Sequence, residues 1–444
     1  MQNTLIEMPE EEGQAERKAG TGKPRIAKAN REQVEMRVAA LESLVSADHR
    51  VRIVWEMVKG YDLRRFYERI EAVEGAAGRP AIDPAILVGL WLYATTEGVG
   101  SARELERLCE EHLAYQWILG GVKVNYHTLS DFRVQCEKEL DELLTESVAA
   151  LMSEGIVKLE RTAQDGVRVR ANAGMRSFRR QARLESFLKE AEEQVKKLKE
   201  AGQKEQEEMS KGAQAAQERV VRERVKRVQK ALEEIEKVKQ VKAKNHKKHT
   251  ERTEARCSTT DPEARFMQMA DGGYRPAHNG EFAVEVESGI VVGVEATNLV
   301  DQGQMCPMLE QIERRYHQKP KEHLVDGGFV TVSEIEEAFQ RQVTVYAPLP
   351  KPRSAEPKSK PSRKADGPGI HAWRERMLTE EAKEIYKQRA ASSEWVNAQA
   401  RNRGLQRFLV RGLQKVRSIL LWFALAHNLW VVSRLRRLEA LEMV

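Results

Sequence analysis

Two short stretches of this chain decide its expected fold. Residues 162–170 read Thr-Ala-Gln-Asp-Gly-Val-Arg-Val-Arg, and residues 323–328 read His-Leu-Val-Asp-Gly-Gly. In each stretch an aspartate, Asp165 or Asp326, ends or interrupts an apolar strand-like run and is followed by glycine. A third carboxylate, Glu394, lies on the polar face of an expected long helix. Two strands and one helix thus deliver three carboxylates, the oxygen ligands that hard cations such as Mg²⁺ prefer.

The three carboxylates are informative as a set. Taken singly, Asp165 and Asp326 are each best interpreted as turn residues beside glycine. Taken together with Glu394, they form a candidate site for two divalent metal ions, which we expect to be Mg²⁺ with Mn²⁺ as a substitute. Two such ions about 4 Å apart can stabilise both the attacking and the leaving oxygen of a phosphoryl transfer.

The order of strands and helices predicts how these carboxylates meet. Strand signals lie at residues 157–169, 282–287, 290–297, 324–326 and 343–348. Helical signals lie at residues 304–316, 332–340, 379–400 and 405–441. Asp165 then falls on the first strand and Asp326 on the fourth, and these strands are adjacent in a ribonuclease-H-like fold. We therefore predict an α/β ribonuclease-H-like catalytic domain over residues 156–444.

A large insertion interrupts this domain at residues 176–256. Its apolar residues repeat at four-three spacing on two arms with a polar break between them, which predicts an antiparallel coiled-coil hairpin; they are Leu184, Leu188, Ala191, Val195 and Leu198, then Val221, Val225, Val228, Leu232 and Ile235. The return arm ends in a lysine-rich run that includes Lys247 and Lys248. Such a run is typical of a solvated face, but beside a phosphoryl-transfer site it could contact DNA phosphates. A second basic segment, residues 350–369, is interpreted as a flexible linker.

The region before the catalytic domain is predicted to be helical. Residues 1–30 are interpreted as a disordered tail and residues 31–155 as an all-α domain. Asp83-Pro84 is expected to begin one helix, Ser101 with Glu104 a second, and Thr128 with Asp131 a third, long one. Short capped helices fit a helix-turn-helix-like DNA-binding module in which some basic residues face phosphate, and the candidates are Arg103, Arg107 and Arg133. A plain helical bundle is the alternative.

The composition limits the class of protein. The chain has 444 residues, a net charge of +6 and 32% charged residues, so local basic clusters matter more than overall charge for binding a polyanion. Its four cysteines show no metal-binding spacing and are expected to be free thiols in a reducing cytoplasm. The longest apolar stretch, residues 419–432, is shorter than a membrane span. It contains His427 and is expected to be a buried core helix.

At these motifs the sequence resembles a DDE transposase of a bacterial insertion sequence. The similarity extends from Arg79 through the helical region to Arg133, and includes Gln164-Asp165-Gly166, Asp326-Gly327-Gly328-Phe329, and the run from Arg389 to Leu405. The resemblance implies that Asp165, Asp326 and Glu394 form a catalytic triad. It also implies double-stranded DNA as partner, for both the element ends and the target, and a homodimer or larger assembly on that DNA.

One departure from the family pattern concerns the last catalytic helix. Related transposases carry a Tyr-x2-Arg-x3-Glu-x6-Lys signature, and the matching residues here are Tyr386, Arg389, Glu394 and Arg401. The resemblance implies that Tyr386, Arg389 and Arg401 contact DNA. Four residues instead of three separate Arg389 from Glu394. On an α-helix, at about 100° per residue, this spacing turns Arg389 away from Glu394. Arg401 keeps the six-residue spacing and should return to the face of Glu394, where it would contact phosphate as a bidentate donor.

The leading hypothesis is a DNA transposase that cleaves strands and transfers a 3′-hydroxyl end to target DNA. Two alternatives remain open at this point: a ribonuclease-H-like nuclease without transfer activity, and a catalytically idle DNA-binding remnant of a transposase. Neither a membrane nor an organic cofactor is expected. Asn298 and Asp301, which follow the third strand, are interpreted as loop caps, with support of the metal ligands as the alternative role.

Overall fold

A computed structural model describes residue 38 and residues 40–72, 80–204, 211–244, 254–350 and 366–442. The described part of the chain from Leu41 onward forms one compact unit. The predicted tail at residues 1–30 lies outside the described residues, and so does most of the predicted linker at residues 350–369.

A mixed β-sheet forms the centre of the catalytic region. Its strand order is β6-β5-β1-β7-β8, with a short strand β4 (Arg265–Gln268) paired to the beginning of β5. The main strands are β1 (Arg161–Arg170), β5 (Tyr274–Glu285), β6 (Val291–Thr297), β7 (Glu322–Leu324) and β8 (Thr344–Tyr346). Strands β1, β7 and β8 run parallel, whereas β5 and β6 are antiparallel to their neighbours. The fold is thus a mixed α/β structure with the first and fourth expected strands side by side.

The parallel pair β1 and β7 sets the positions of the two aspartates. Ala163 is paired with Leu324, so Asp165 and Asp326 each follow a paired residue by two positions. Side-chain hydrogen bonds also connect the two strands. His323 on β7 contacts the Thr162 hydroxyl at 2.8 Å and the Gln164 side chain at 3.2 Å, both on β1. Burial lowers the pKa of His323 to about 3, so its ring is neutral. The two aspartates therefore lie level at the same end of adjacent strands.

Side chains from the surrounding helices bind backbone groups of the outer strands β6 and β8. At the β6 edge, Asn428 binds the amide and carbonyl of Val291, and Gln311 binds those of Val294. At the β8 edge, Arg376 donates to the carbonyl of Val345 and Trp373 to that of Ala347. These donors and acceptors belong to α10 (Met305–Tyr316), α12 (Pro368–Leu378) and α15 (Leu413–Glu442).

The region before the sheet is helical, as predicted, and comprises α1 (Arg50–Gly60), α2 (Arg64–Tyr67), α3 (Pro84–Thr96), α4 (Ala102–Glu111), α5 (Leu113–Leu119), α6 (Tyr126–Gln135) and α7 (Glu137–Ser153). Asp83 and Ser101 cap α3 and α4 as expected. The prediction for the third helix was wrong in two respects. Asn125, not Thr128, is the N-cap, and the expected long helix is divided at Cys136 into α6 and α7. The amide of Thr128 donates to Asn125, which explains the earlier start.

Helix α15 joins the helical region to the sheet. Trp422 is fully buried and donates to the carbonyl of Arg133, while Arg417 pairs with Glu137 and Asp141. His427 is buried, as predicted, and burial lowers its pKa to about 4. The apolar stretch at residues 419–432 belongs to a longer helical segment, Leu413–Leu438, which by length and composition alone could cross a membrane. That segment is mostly buried inside the fold, as in a core helix.

The insertion forms two long helices on a small two-stranded base. Helices α8 (Gln181–Lys204) and α9 (Lys211–Lys244) follow β2 (Phe178–Arg179), which pairs with β3 (Cys257–Ser258). Gln181 at the start of α8 contacts Lys239 near the end of α9, and Gln194 contacts Arg224, so the helices are antiparallel. Their contact buries the predicted apolar positions Leu184, Ala191, Val228 and Ile235. Coiled-coil geometry in the strict sense stays a prediction.

The remaining helices carry or flank the third carboxylate. They are α11 (Val332–Gln340), α13 (Glu380–Arg389) and α14 (Trp395–Asn402), with a π-helical segment, Ala390–Glu394, between the last two. This segment packs against β1 and β5, so the predicted helix lies across the sheet near Asp165.

The apolar contact between α8 and α9 should hold the arm together without supporting the rest of the fold. Val228 is 2% exposed, whereas Val220 on the same helix is 62% exposed. Val228→Asp should bury an unpaired carboxylate and destabilise the arm by about 2–4 kcal/mol. Hydrogen exchange should then accelerate in α8 and α9 alone, and Val220→Asp should leave exchange unchanged. Loss of the cooperative unfolding of the whole chain in Val228→Asp would instead make the arm part of the core.

Candidate active site

Asp165 and Asp326 meet at the end of the β1–β7 pair. The Asp165 side chain is 19% exposed and accepts hydrogen bonds from the Gly166 amide and from Asn397. Burial raises the pKa of the Asp165 carboxyl to about 6, and the nearby charge of Asp326 acts in the same direction. Asp326 accepts a 2.7 Å hydrogen bond from the Gly328 amide. Two carboxylates thus face each other at a site where burial already disfavours negative charge.

Arg389 links the third carboxylate to this pair. Its guanidinium donates to Glu394 at 2.5 Å and lies 3.7 Å from Asp165, so one cation contacts both carboxylates. The expectation that Arg389 turns away from Glu394 was therefore wrong. It assumed an α-helix, in which residues five positions apart lie about 140° apart around the axis. A π-helical turn takes one more residue than an α-helical turn, which brings position i+5 back above position i.

Two serines explain why the π-helical segment forms here. The Ser392 hydroxyl donates to the carbonyl of Gln388 at 2.9 Å, and the Ser393 hydroxyl donates to that of Arg389 at 3.1 Å. A π-helical turn leaves some backbone carbonyls without their usual amide partner. Serine hydroxyls that donate to a carbonyl four residues earlier can replace part of the missing hydrogen bonding. Both serines are buried, whereas Ala391 is exposed. The Ser-Ser pair after Ala390-Ala391 is thus a local signal that the sequence did contain.

A cleft of about 720 Å³ opens beside the two aspartates. Its lining includes Asp165, Asp326 and Asp301, together with four arginines, Arg168, Arg170, Arg275 and Arg401. Arg401 is exposed, in agreement with its predicted place near the site. The cleft therefore combines an acidic end with basic walls.

Sequence reasoning missed the buried polar residues behind the aspartates. Asn279 on β5 donates to Glu281 at 2.6 Å and to Asp301 at 2.8 Å, and Arg168 donates to Asp301 at 3.0 Å. The Asp301 side chain is thus bound to neighbouring strands instead of capping its own loop. Burial, and then the charge of Asp301, raise the pKa of Glu281 to about 8. The available signal was that Asn279 and Glu281 alternate in position along the same strand as the apolar residues Phe282 and Val284.

The other predicted site residues are distributed differently. Arg133 is buried, donates to the carbonyl of Gly100 and stacks on Trp91, and burial lowers its pKa to about 10. Its predicted phosphate contact was therefore wrong, because the guanidinium holds the helical core together. Arg107 is exposed but pairs with Glu104 and Glu111.

Arg103 and Tyr386 remain candidates, and two lysines are not placed. Arg103 is exposed and stacks on Tyr126, whereas Tyr386 is half-buried beside Arg389. Lys247 and Lys248 lie outside the described residues.

No three acidic, histidine or cysteine side chains among the described residues converge as a ready metal cage. In the structure Glu394 is turned toward Arg389, and Asp301 toward Arg168 and Asn279. The carboxylates are thus gathered around one end of the sheet, with arginines and an amide as their immediate partners.

Two aspartates level on adjacent strands, with a glutamate-bearing helix across them, form the arrangement expected of a DDE domain. Residues 39–135 match the family described as Transposase domain (DUF772), and residues 369–433 match the family described as Transposase DDE domain. The matches confirm the resemblance to a DDE transposase of insertion-sequence type. The second match includes Glu394 and Arg401, whereas Asp165 and Asp326 lie outside both. No curated protein and no solved structure matches the chain significantly.

The raised pKa of Asp165 should make stability depend on pH. The pKa in the fold, about 6, exceeds the ordinary value of 3.8, so the folded chain holds its proton to higher pH than the unfolded chain. The free energy of unfolding should therefore fall as pH rises from 4 to 6, by up to about 3 kcal/mol. Asp165→Asn should flatten this fall in urea titrations with a chelator present. Asp271→Asn, a change in an exposed pair with Arg275, should keep it. An unchanged slope in Asp165→Asn would assign the fall to other carboxyls.

Proposed function

We propose that this protein is a DNA transposase that cleaves and joins DNA strands with Mg²⁺ at Asp165, Asp326 and Glu394. The observation that carries the proposal is the level placement of Asp165 and Asp326 on the parallel strands β1 and β7. Glu394 lies near the same end of the sheet, because Arg389 contacts both Glu394 and Asp165. The two transposase matches, of which the second includes Glu394, support the assignment.

The strand order supports a ribonuclease-H-like catalytic domain. Counted along the chain without the short strands, the order β6-β5-β1-β7-β8 corresponds to third, second, first, fourth and fifth. Only the second strand is antiparallel to the first, and the fourth and fifth are parallel to it. The first and fourth strands are neighbours, as the ribonuclease-H-like prediction requires. We assign residues 31–155 to end recognition, with the helical arm as an inserted element.

The donor set fits a divalent cation. Asp165, Asp326 and Glu394 would hold it through carboxylate oxygens, which suit Mg²⁺ and Mn²⁺. Asp165 has a pKa raised by burial and faces a second carboxylate, so a cation would relieve an unfavourable electrostatic arrangement. When bound, two such ions supply an activated water or 3′-hydroxyl and stabilise the charge that develops on the phosphate.

The chain's own residues would position the carboxylates and the DNA. Asn397 and the Gly166 amide orient the Asp165 carboxylate, and the Gly328 amide orients that of Asp326. Arg389 counters the charge between Asp165 and Glu394. Because its guanidinium is largely buried, Arg389 acts inside the site and does not lie on an open DNA-binding surface.

The DNA backbone would run along the basic walls of the cleft. Arg401 and Arg170 are exposed there, and arginine binds phosphate through two parallel hydrogen bonds. Arg103 offers a further contact from the helical region. Transposition joins two element ends, so we propose a homodimer or larger assembly on DNA.

Removing any one carboxylate should abolish cleavage while leaving DNA binding largely intact. Asp165→Asn, Asp326→Asn and Glu394→Gln keep the side-chain shape but weaken the metal site, whereas affinity for DNA depends mainly on phosphate contacts. The substrate is labelled DNA carrying the inverted repeats that flank the gene. Strand cleavage should fall by at least about a thousandfold in each variant, a loss of about 4 kcal/mol in transition-state stabilisation.

Asp271→Asn, which changes an exposed carboxylate of the same cleft, is the matched control and should cleave normally. Near-normal cleavage by Asp326→Asn would contradict the assignment of the triad. Cleavage without strand joining would favour a nuclease, and DNA binding without cleavage in the unaltered protein would favour an idle remnant.

The π-helical segment predicts an unusual tolerance to deletion. Removing the exposed Ala391 should convert the segment to an α-helix in which Arg389 and Glu394 lie four positions apart and still face each other. The deletion variant should therefore keep cleavage within about tenfold of normal, about 1.4 kcal/mol. Inserting one alanine after Ala391 should abolish cleavage, because Glu394 would turn away from Arg389. Loss of cleavage in both variants, with the fold retained, would make the π-helical turn itself necessary.

A further inference from the structure

Asp301 lies in the loop after β6, with its carboxylate directed back toward the two catalytic aspartates. One oxygen, Oδ1, accepts from Asn279 at 2.8 Å, and the other, Oδ2, accepts from Arg168 at 3.0 Å. The side chain is 16% exposed. Asp301 is therefore a largely buried carboxylate, fixed at both oxygens and lining the same cleft as Asp165 and Asp326.

Two glycines show how closely Asp301 approaches the aspartates. A Cβ atom placed on Gly166 would lie 2.6 Å from Asp301 Oδ1, closer than real Cβ contacts. A Cβ atom placed on Gly328 would lie 2.9 Å from Asp326 Oδ1 and 3.5 Å from Asp301 Oδ2. Gly166 directly follows Asp165, and Gly328 is the second residue after Asp326. The Asp301 carboxylate thus occupies the space between the two aspartate-glycine motifs, and glycine at position 166 leaves room for it.

An unpartnered amide oxygen points to a ligand at the same place. Asn279 is fully buried, its Nδ2 donates to Glu281 and Asp301, and its Oδ1 has no hydrogen-bond partner. Because Asp301 is paired with Arg168 and accepts from Nδ2, it fixes the orientation of the amide. Oδ1 lies 2.9 Å from the same Gly166 Cβ position. Leaving a buried acceptor unsatisfied is costly, and amide oxygens bind hard cations.

We propose that Asp301 is a further metal-ligating carboxylate, which shares a divalent cation with Asp165 and Asp326 beside the Asn279 amide oxygen. This inference rests on the proposed function, because it adds a ligand to the same metal site. In the structure Arg168 supplies the positive charge that Asp301 faces, and a divalent cation would share that role. Asp301 then has two functions. It binds the cation, and its ion pair with Arg168 connects the acidic end of the cleft with the basic residues of its wall.

Manganese binding to the full-length chain tests the proposal without DNA or turnover. Free Mn²⁺ is followed by electron paramagnetic resonance during titration of the unaltered protein and of Asp301→Asn. We expect the variant to bind Mn²⁺ at least tenfold more weakly. Asp271→Asn is the matched control, because Asp271 lines the same cleft and also pairs with an arginine, Arg275. It should bind Mn²⁺ normally.

Two more variants protect the test against a folding artefact. Gly166→Ala changes no charge but should displace the Asp301 carboxylate and weaken Mn²⁺ binding to a similar degree. Arg168→Gln removes the competing positive charge and should strengthen Mn²⁺ binding severalfold if Asp301 is a ligand. A change in the opposite direction, or none, would contradict the proposal. Circular dichroism checks that each variant is folded.

The outcomes separate this inference from the proposed function. Normal Mn²⁺ affinity in Asp301→Asn, with binding lost in Asp165→Asn, would overturn the role of Asp301 alone. No Mn²⁺ binding by the unaltered protein would overturn both. Weakened binding in Asp301→Asn and in Asp165→Asn, with Asp271→Asn unaffected, would support both.

Discussion

The parallel pairing of β1 with β7 is the constraint on which the site depends. Side chains alternate between the two faces of a strand, so a slip of one residue would carry Asp165 or Asp326 to the opposite face. The buried contacts of His323 with Thr162 and Gln164 oppose such a slip, because each would leave a polar group unsatisfied. The two aspartates at the end of the sheet are thus held in register by neutral polar groups within it.

Much of this fold could be predicted because its signals are local or periodic. Asp83 and Ser101 act as caps where short-range rules place them, and the apolar spacing of Leu184 and Val228 identified the paired helices. The start of α6 was missed because Asn125 competes successfully with Thr128 as a cap. The last helix, predicted over residues 405–441, begins later, at Leu413, because Gly404 and Gly412 adopt the left-handed backbone conformation, which interrupts an α-helix.

The acidic residues of the candidate site could be predicted from the sequence, but the residues that bind those acids could not. Asp165 and Asp326 are recognisable by residue type, adjacent glycine and element order, and Glu394 by residue type and element order. Arg389 was misplaced because spacing was converted to direction with α-helical geometry, while Ser392 and Ser393 favour a wider turn. Asn279 and Asp301 come together through the pairing of β5 with β6, which places Asn279 beside the loop that follows β6. The alternation on β5 indicates that Asn279 is a buried polar residue, but it does not identify Asp301 as its partner.

The covered edges of the sheet also restrict how copies of this protein can associate. An exposed edge strand is a template on which another chain can add a strand. Here Asn428 and Gln311 occupy the backbone groups of β6, and Arg376 and Trp373 those of β8. In the assembly on DNA proposed above, the high local concentration of copies would favour fusion of any open sheets. The groups already bound at β6 and β8 would hinder such strand addition there, so crowded copies could separate again more readily.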